Sequence, residues 1–269
     1  MLGEVLVVTS GKGGVGKTTA VANIGTSLAM EGKKVVLIDA DIGLRNLDVV
    51  MGLENRIVFD LVDVVENRCR LRQALIKDKR FSELFLLPAS QSKDKNAVTP
   101  KQMVALCAEA KKDVDYVLVD CPAGIEQGFK NAIAGADRAI IVTTPEVSAV
   151  RDADRIIGLL EAAELSNPKL IVNRIRPEMI RRGDMMDIED IREILAVELM
   201  GVVPEDEGII VSTNRGEPIA FRSSSQAGAA FHNISRRLMG ETVPFIDYTH
   251  SGGFFSRLKR LFGMGSQAK

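Results

Sequence analysis

Three observations predict an α/β fold in which a doubly wound, mainly parallel sheet is flanked by helices. Short runs of apolar, mostly β-branched residues recur along the chain. These runs are continuous rather than alternating, which is typical of strands buried on both faces of a parallel sheet. Segments with apolar residues at helical spacing separate most of the runs, and a glycine-rich turn follows the first of them. Such strand–helix alternation favours one sheet covered on both sides.

The predicted strands and helices can be placed in order along the chain. The strands occupy residues 4–9, 34–39, 84–88, 115–120, 138–143, 169–173 and 200–204. The helices lie at about residues 18–30, 58–66, 100–111, 126–134, 147–163, 188–197 and 225–239. Ligands of doubly wound folds bind at the carboxyl ends of the strands, so polar residues that directly follow the strands are candidates for a site.

The composition sets limits on the function. The 269 residues suffice for one α/β domain or two small ones, and 46% hydrophobic with 26% charged residues is an ordinary globular balance. The net charge of −1 provides no overall attraction to nucleic acid or membrane. Tryptophan is absent and aromatic residues are few, which argues against stacking of single-stranded bases. We therefore expect no specific nucleic-acid partner.

The cysteines and the apolar runs indicate a cytosolic protein. Cys69, Cys107 and Cys121 are far apart and form no C-x-x-C pair, so neither a disulfide framework nor a zinc site is predicted. The first residues resemble a strand rather than a signal peptide, and we expect none. No run of 18 apolar residues occurs, so no transmembrane helix is predicted.

The glycine-rich turn fits the phosphate-loop pattern G-x-x-x-x-G-K-[ST]. It consists of Gly11, Lys12, Gly13, Gly14, Val15, Gly16, Lys17, Thr18 and Thr19. Backbone N–H groups of such a loop surround a polyphosphate, and the start of the next helix adds its positive end. Lys17 would reach the β- and γ-phosphates, and the Thr18 hydroxyl would bind Mg²⁺. The alternative is a chance lysine in a strand–helix turn, and for Lys12 alone a solvated loop charge.

The loop, including its second lysine, resembles the deviant Walker A loop of the ParA/MinD ATPases. In that family the extra lysine reaches across a dimer to the partner's nucleotide, and Lys12 matches it. The resemblance implies ATP and Mg²⁺ as cofactors and an ATP-dependent homodimer. It also implies that Lys12 and Lys17 are catalytic and that Lys12 lies at the dimer interface.

Carboxylates follow two of the predicted strands. Asp120 ends a hydrophobic run that has the form of a Walker B strand, and a carboxylate there can hold Mg²⁺ directly or through water. The alternative is a helix cap or turn residue. Residues 39–48 resemble the switch I segment of MinD proteins. The resemblance implies that Asp41 lies at the Mg²⁺ site and positions the attacking water, and that Asn46 lies near the dimer interface.

Base recognition is predicted late in the chain. Asn173 follows the sixth predicted strand, and Pro204 and Glu205 end or follow the seventh. A carboxamide can both donate to and accept from a purine edge, although Asn173 could instead be a helix cap. No N-K-x-D guanine motif is present, which favours ATP. The resemblance implies that these residues surround adenine.

A polar cluster opens the helix after the fifth predicted strand. Its members are Ser148, Arg151, Asp152 and Asp154. A solvated helix start, with acids near its positive end, is the simple explanation. The resemblance implies that this surface contacts partner proteins, with Asp152 at the dimer or switch face.

The end of the sequence predicts a separate element. We expect an ATPase domain at 1–240, a linker at 241–253 and an amphipathic, membrane-targeting helix at 254–263. The residues predicted to meet lipid are Phe254, Phe255, Arg257, Leu258, Lys259, Arg260, Leu261 and Phe262. One apolar side flanked by bases is typical of interfacial helices, although a terminal helix docked on the domain is the alternative. One tail would bind anionic lipid weakly, whereas two held together would gain about 10²–10⁴ in avidity.

The resemblance to MinD proteins spans nearly the whole chain and implies a function in division-site placement. Such ATPases bind the inner face of the cell membrane as dimers, recruit a MinC-like division inhibitor and are released by a MinE-like activator. The expected location is the cytoplasm and that membrane surface, or the stromal side of a plastid inner envelope.

Other functions remain open from the sequence. A ParA-type DNA-partitioning ATPase shares the loop, but the basic tail argues against it. An iron protein of the nitrogenase type needs cluster cysteines, and Cys121 directly after Asp120 is wrongly placed for one. A scaffold that binds ATP without hydrolysing it is the third alternative.

Overall fold

The computed structural model describes residues 2–94, 96–222 and 224–246. The strands are β1 (Glu4–Thr9), β2 (Val35–Asp39), β3 (Ile76–Lys77), β4 (Leu84–Leu87), β5 (Tyr116–Asp120), β6 (Arg138–Thr143), β7 (Lys169–Ile175) and β8 (Glu198–Pro204). The helices are α1 (Lys17–Met30), α2 (Leu47–Met51), α3 (Leu61–Val65), α4 (Leu71–Ala74), α5 (Pro100–Ala110), α6 (Gln127–Ile133), α7 (Val147–Ala162), α8 (Pro177–Arg182), α9 (Ile188–Leu195), α10 (Glu207–Asn214) and α11 (Gln226–Leu238). Two 3₁₀ turns lie at Glu54–Arg56 and Ile219–Phe221.

The strands form one sheet in the order β3-β4-β2-β5-β1-β6-β7-β8. Every neighbouring pair is parallel except β3 and β4, which are antiparallel. The predicted doubly wound α/β fold is thereby confirmed. The edge strand β3 was not predicted, because two residues give no recognisable run.

Each face of the sheet carries its own hydrophobic core. Val5 and Val7 point into one core, whereas Leu6 and Val8 on the same strand point into the other. The second core contains α1, which packs against α11 on one flank and α2 on the other. Burying one such side chain contributes about 1.5–3 kcal/mol. The helix that follows the phosphate loop is therefore among the most firmly held elements.

One predicted helix starts later than expected. The sequence predicted 58–66, but α3 begins at Leu61 because Asp60 caps it, accepting from the N–H groups of Val62 at 2.8 Å and Asp63 at 3.1 Å. The Asp63 carboxylate accepts in turn from the Asp60 N–H at 3.0 Å, which completes a capping box. The short helices α2, α4, α8 and α10 were not predicted.

The chain leaves α11 along the surface of the domain. Residues 241–246, the first part of the predicted linker, form no helix or strand. Arg237 fixes them by donating to the carbonyls of Val243 at 3.0 Å and Pro244 at 2.8 Å, and its guanidinium lies 4.1 Å from the Phe245 ring centre. The predicted amphipathic helix at 254–263 lies outside the described residues. Within the described ranges, no helix combines the length and apolar character needed to cross a bilayer.

Candidate active site

The candidate site lies at the carboxyl ends of the central strands. Asp39 ends β2 and Asp120 ends β5, and the two are paired in register across the sheet. The phosphate loop follows β1, which pairs with β5. The fold thus brings the predicted loop and the predicted carboxylates to one edge.

Glycine is required in the loop for conformation and for space. Gly14 and Gly16 have φ angles of 77° and 101°, which side chains of L-residues rarely adopt. A Cβ at Gly16 would lie 2.3 Å from Asn173 Nδ2, and one at Gly11 would lie 2.3 Å from the Asp152 backbone oxygen. The loop is therefore enclosed between β7 and α7, with its backbone closely packed.

Lys17 is held at the base of the loop. It is only 8% exposed, and its Nζ donates to Ser10 Oγ at 2.9 Å. Ser10 Oγ in turn donates to the Lys12 carbonyl at 2.8 Å. Gly16, the residue before α1, has no side chain to cap the helix. The first N–H groups of α1 and the Lys17 ammonium together form an anion-binding start of a helix.

Asp39 organises the switch segment rather than facing solvent. Its carboxylate accepts from the backbone N–H groups of Asp41 at 3.0 Å, Asn46 at 3.2 Å and Leu47 at 3.2 Å. These bonds fold the chain after β2 back on itself and start α2. Burial raises the pKa of Asp39 despite the three N–H donors. Asp39 was not a predicted site residue, although its place at the strand end was the available signal.

Asp120 is buried with little to balance its charge. Burial raises the pKa of Asp120, and the nearby negative charge of Asp39 raises it further. A hydrogen bond with Thr18 and the charge of Lys17 act in the opposite direction. Asp120 Oδ1 has no hydrogen-bond partner among the described residues. Such a carboxylate fits a nearby cation, which would supply the missing positive charge.

These residues fit Mg²⁺ that enters with a nucleotide. The Thr18 hydroxyl and the Asp120 carboxylate are hard oxygen donors in direct contact. Asp41 is near enough that its charge raises the pKa of both Asp39 and Asp120. The described part of the chain has no group of three or more His, Cys, Asp or Glu that could hold a metal alone. Mg²⁺ ordinarily takes one or two protein ligands and completes its shell with phosphate oxygens and water.

Of the predicted base-binding residues, Asn173 contacts the loop, whereas Pro204 and Glu205 lie at the end of the neighbouring strand β8. Asn173 is buried, its Nδ2 donates to the Val15 carbonyl at 2.8 Å, and its Oδ1 has no partner among the described residues. Asn173 therefore supports the loop, which the sequence did not predict, and keeps one acceptor available. Pro204 is buried, and Glu205 is exposed and ion-paired with Arg176, whose Nη2 lies 2.8 Å from Glu205 Oε1. Glu205 and Arg176 line a cleft of about 660 Å³ together with α8 and the turn before α7.

Lys12, unlike Lys17, is exposed and contacts the start of α7. Its side chain is 46% exposed, with Nζ 3.3 Å from Ser148 Oγ and 3.6 Å from Glu146 Oε2. Both contacts are to the start of α7 in the same subunit. Asp152, one turn further along α7, is partly buried against Gly11, whereas Asn46 is exposed before α2. Glu146 and Ser10 are contacts that the sequence did not predict.

The fold and the loop define a phosphate-loop nucleotide-binding protein. Residues 6–219 match the family model of the CobQ/CobB/MinD/ParA nucleotide binding domain. The septum site-determining protein MinD of Bacillus subtilis is 57% identical over 268 residues, which cover 98% of this chain and 100% of that protein. That of Synechocystis is 56% identical over 248 residues, covering 92% and 93%.

Solved structures agree with these matches. The MinC:MinD cell division protein complex of Aquifex aeolicus contains a chain with 53% identity and a TM-score of 0.86, covering 91% of this chain and 99% of that one. MinD of Pyrococcus horikoshii complexed with Mg-ADP has 29% identity and a TM-score of 0.80, covering 88% and 96%. The chain therefore belongs to the MinD group of the CobQ/CobB/MinD/ParA family, as the loop predicted.

Proposed function

We propose that this protein is an ATP-hydrolysing switch that dimerises with ATP, binds the inner membrane and recruits a division inhibitor to place the septum. The observation that carries the proposal is the separation of the two loop lysines. Lys17 is buried at the base of the loop, whereas the Lys12 side chain is 46% exposed and therefore accessible to a second subunit. Relatives named as septum site-determining proteins support the same function.

Hydrolysis in this site would depend on positioning and charge. Lys17 and the loop N–H groups would hold the β- and γ-phosphates, and Asp41 would orient the attacking water. Mg²⁺, bound through Thr18 and Asp120, would neutralise charge on the transferred phosphoryl group. Lys12 of a partner subunit would act as an arginine finger does. The contacts of Lys12 with Ser148 and Glu146 are exposed and contribute about 0–1 kcal/mol. Lys12 could therefore leave them and contact the nucleotide of a partner subunit at little cost in free energy.

Membrane attachment is proposed from the sequence of residues 254–263. Burial of two to three Phe and two Leu would contribute a gross ~8–12 kcal/mol, of which ordering so short a helix consumes much. One tail would therefore bind weakly, and the dimer would bind firmly through two. ATP binding would thus control attachment to anionic lipid from the cytoplasm.

Sedimentation with anionic vesicles tests this coupling. The protein should pellet with ATP and stay in solution with ADP or without nucleotide. Removing residues 252–269 should abolish pelleting while nucleotide binding persists. Equal pelleting in all three nucleotide states would contradict the switch, and pelleting of the shortened chain would contradict the role of the tail.

A MinC-like inhibitor is the proposed partner, since a solved relative is in complex with MinC. A MinE-like activator, or another positioning protein, would stimulate hydrolysis and release. An ATP-binding scaffold predicts instead no turnover with or without vesicles, so an ATPase assay with vesicles and partner decides between the two functions.

A further inference from the structure

Arg80 bridges two backbone segments that are distant in sequence. Its guanidinium donates to the Met51 carbonyl at 2.8 Å and to the Gly216 carbonyl at 3.0 Å. Met51 ends α2, and Gly216 follows α10. The side chain is partly buried, with 19% exposed. Arg80 therefore joins the carboxyl-terminal ends of α2 and α10. Both ends are distant in sequence from the phosphate loop.

Further contacts fix the guanidinium in this position. Asp78, whose side chain is fully buried, accepts from Arg80 Nε at 3.1 Å and Nη2 at 2.7 Å. The ring of Phe221 lies 4.8 Å from the guanidinium carbon and stacks on Phe81 with a centroid distance of 5.4 Å. Only a planar group with donors on three sides can make these bonds simultaneously. We call Asp78, Arg80 and Phe221 the Arg80 clamp.

The two clamped helices begin next to residues of the candidate site. The N–H of Leu47, the first residue of α2, donates to Asp39, and Asp206, which follows the predicted base contact Glu205, caps α10. The two helices pack together, and a Cβ on Gly216 would lie only 2.5 Å from the Gly52 Cα. A displacement of either helix is therefore passed to the other.

The clamp is also connected to the helix of the phosphate loop. Asn23, on α1, accepts from the Ala220 N–H at 2.9 Å, next to Phe221. The same Asn23 donates to the Thr19 carbonyl at 2.8 Å. Asn23 thus holds the Phe221 ring, which lies against the Arg80 guanidinium, in a fixed position relative to the phosphate loop.

We propose that Arg80 is a positioning residue for ATP hydrolysis, because it holds the switch segment before α2 and the turn before α10 in a single arrangement. The proposal rests on the proposed ATPase function. The Arg80 guanidinium donates to Asp78, Met51 and Gly216, all of which lie outside the phosphate loop. Its effect therefore operates through α2 and α10.

Steady-state kinetics of Arg80→Ala, without vesicles, is the main test. We expect kcat to fall roughly 10–100-fold, because small displacements of positioned groups have effects of this size. The affinity for ADP should stay within about threefold, since the phosphate loop is untouched. Arg80→Lys keeps the charge but cannot serve both carbonyls and Asp78, so its kcat should be intermediate. If Arg80→Ala does not fold, Arg80→Lys with a wild-type melting temperature decides the question.

Arg237→Ala is the matched control. Arg237 also donates to carbonyls, those of Met200, Val243 and Pro244, and also lies over an aromatic ring. It lies at the end of α11, so its loss should leave kcat at the wild-type value. Millimolar guanidinium should restore part of the rate of Arg80→Ala, which a purely structural defect would not allow. Wild-type kcat in Arg80→Ala, or an equal loss in Arg237→Ala, would overturn the proposal.

Amide hydrogen exchange with a non-hydrolysable ATP analogue gives a test that needs no turnover. In the wild type, residues 46–52 and 207–217 should gain protection together, whereas in Arg80→Ala the two segments should respond separately. Joint protection in the variant would overturn the role of Arg80. Absence of turnover in the wild type would instead refute the proposed ATPase while this measurement still tests the clamp.

Discussion

Polar residues at the amino ends of the strands, the amino edge, and at their carboxyl ends, the carboxyl edge, differ in burial and in their partners. At the amino ends of the strands, charges are partly exposed and paired: Arg138 Nη1 lies 3.0 Å from Glu4 Oε1, and Lys111 Nζ lies 2.8 Å from Asp137 Oδ1. At the carboxyl ends, Asp39 and Asp120 are buried side by side, and Asp120 Oδ1 has no partner among the described residues. The sheet therefore has satisfied ion pairs where β1 and β6 begin and buried, incompletely partnered carboxyl groups where β2 and β5 end.

The amino ends and the carboxyl ends of the strands therefore differ in their effects on stability and on function. Paired, hydrated charges contribute little but lack the desolvation cost that buried carboxylates impose. The buried carboxylates destabilise the nucleotide-free protein and are retained because a cation and a triphosphate can satisfy them. Substitutions at the carboxyl edge should therefore alter activity strongly, and those at the amino edge should alter neither property much.

The largest effect is expected for Lys12→Ala. Hydrolysis should fall by about 10³-fold or more, the range of an arginine finger supplied in trans, while ATP binding persists because Lys17 remains. Single-turnover hydrolysis and equilibrium binding of a fluorescent ATP analogue would measure the two properties. Lys111→Ala removes a paired lysine from the amino edge and should keep the wild-type rate. A similar loss in both variants would remove the distinction between the edges.

Asp41→Ala should have the next largest effect. We expect the hydrolysis rate to fall about 10²-fold, because a positioned base or water-orienting group contributes roughly 10²–10⁴. Dimerisation with ATP, measured by light scattering, should persist. Asp63→Ala, which removes a carboxylate remote from the site, is the control. A wild-type rate of hydrolysis in Asp41→Ala would mean that another residue orients the attacking water.

Asp120→Asn should raise the stability of the nucleotide-free protein while weakening its response to nucleotide. The pKa of Asp120 is raised from 3.8 to about 8 in the folded protein, so the folded state binds the proton more tightly than the unfolded state. Stability is consequently lost as the pH rises through this window. At pH 8 the variant should melt roughly 2–4 °C higher, which corresponds to about 1 kcal/mol.

The pH dependence of melting provides the check on this prediction. Thermal unfolding between pH 5 and about 8 should be flatter for Asp120→Asn than for the wild type. Added Mg²⁺ and ADP should raise the melting temperature of the wild type more than that of the variant. A lower melting temperature at pH 8 without nucleotide would show that Asp120 stabilises the fold.

The smallest effect is expected for Glu4→Ala. The pair with Arg138 is partly exposed, and its loss should change the free energy of unfolding by no more than about 1 kcal/mol. Hydrolysis should not change. Denaturant titration measures the first property, and a loss above about 2 kcal/mol would mean that the amino edge also carries strongly coupled charges.

The strands and the loop could be predicted because their signals are local and long enough to recognise. Every predicted strand is present, although β7 and β8 extend beyond the predicted ends. The short helices α2 and α10 could not be predicted, because neither is long enough to show a helical pattern; α2 starts where Asp39 accepts from the Leu47 N–H, and α10 starts at its N-cap Asp206. The support that Asn173 gives to Val15, and the Arg80 clamp, join residues too distant in sequence for a pattern to reveal.

The attachment of Phe245 to Arg237 determines where the rest of the chain is tethered. Seven residues separate Ile246 from the proposed lipid-binding segment, and a chain of that length spans at most roughly 25 Å, so the segment has to begin within that distance. In a pair of subunits, the distance between the two tether points would then decide whether both segments reach one bilayer together. Substitution of Arg237 would release Val243, Pro244 and Phe245, so the connection to each lipid-binding segment would be several residues longer. The effective concentration of one segment beside the other would then fall.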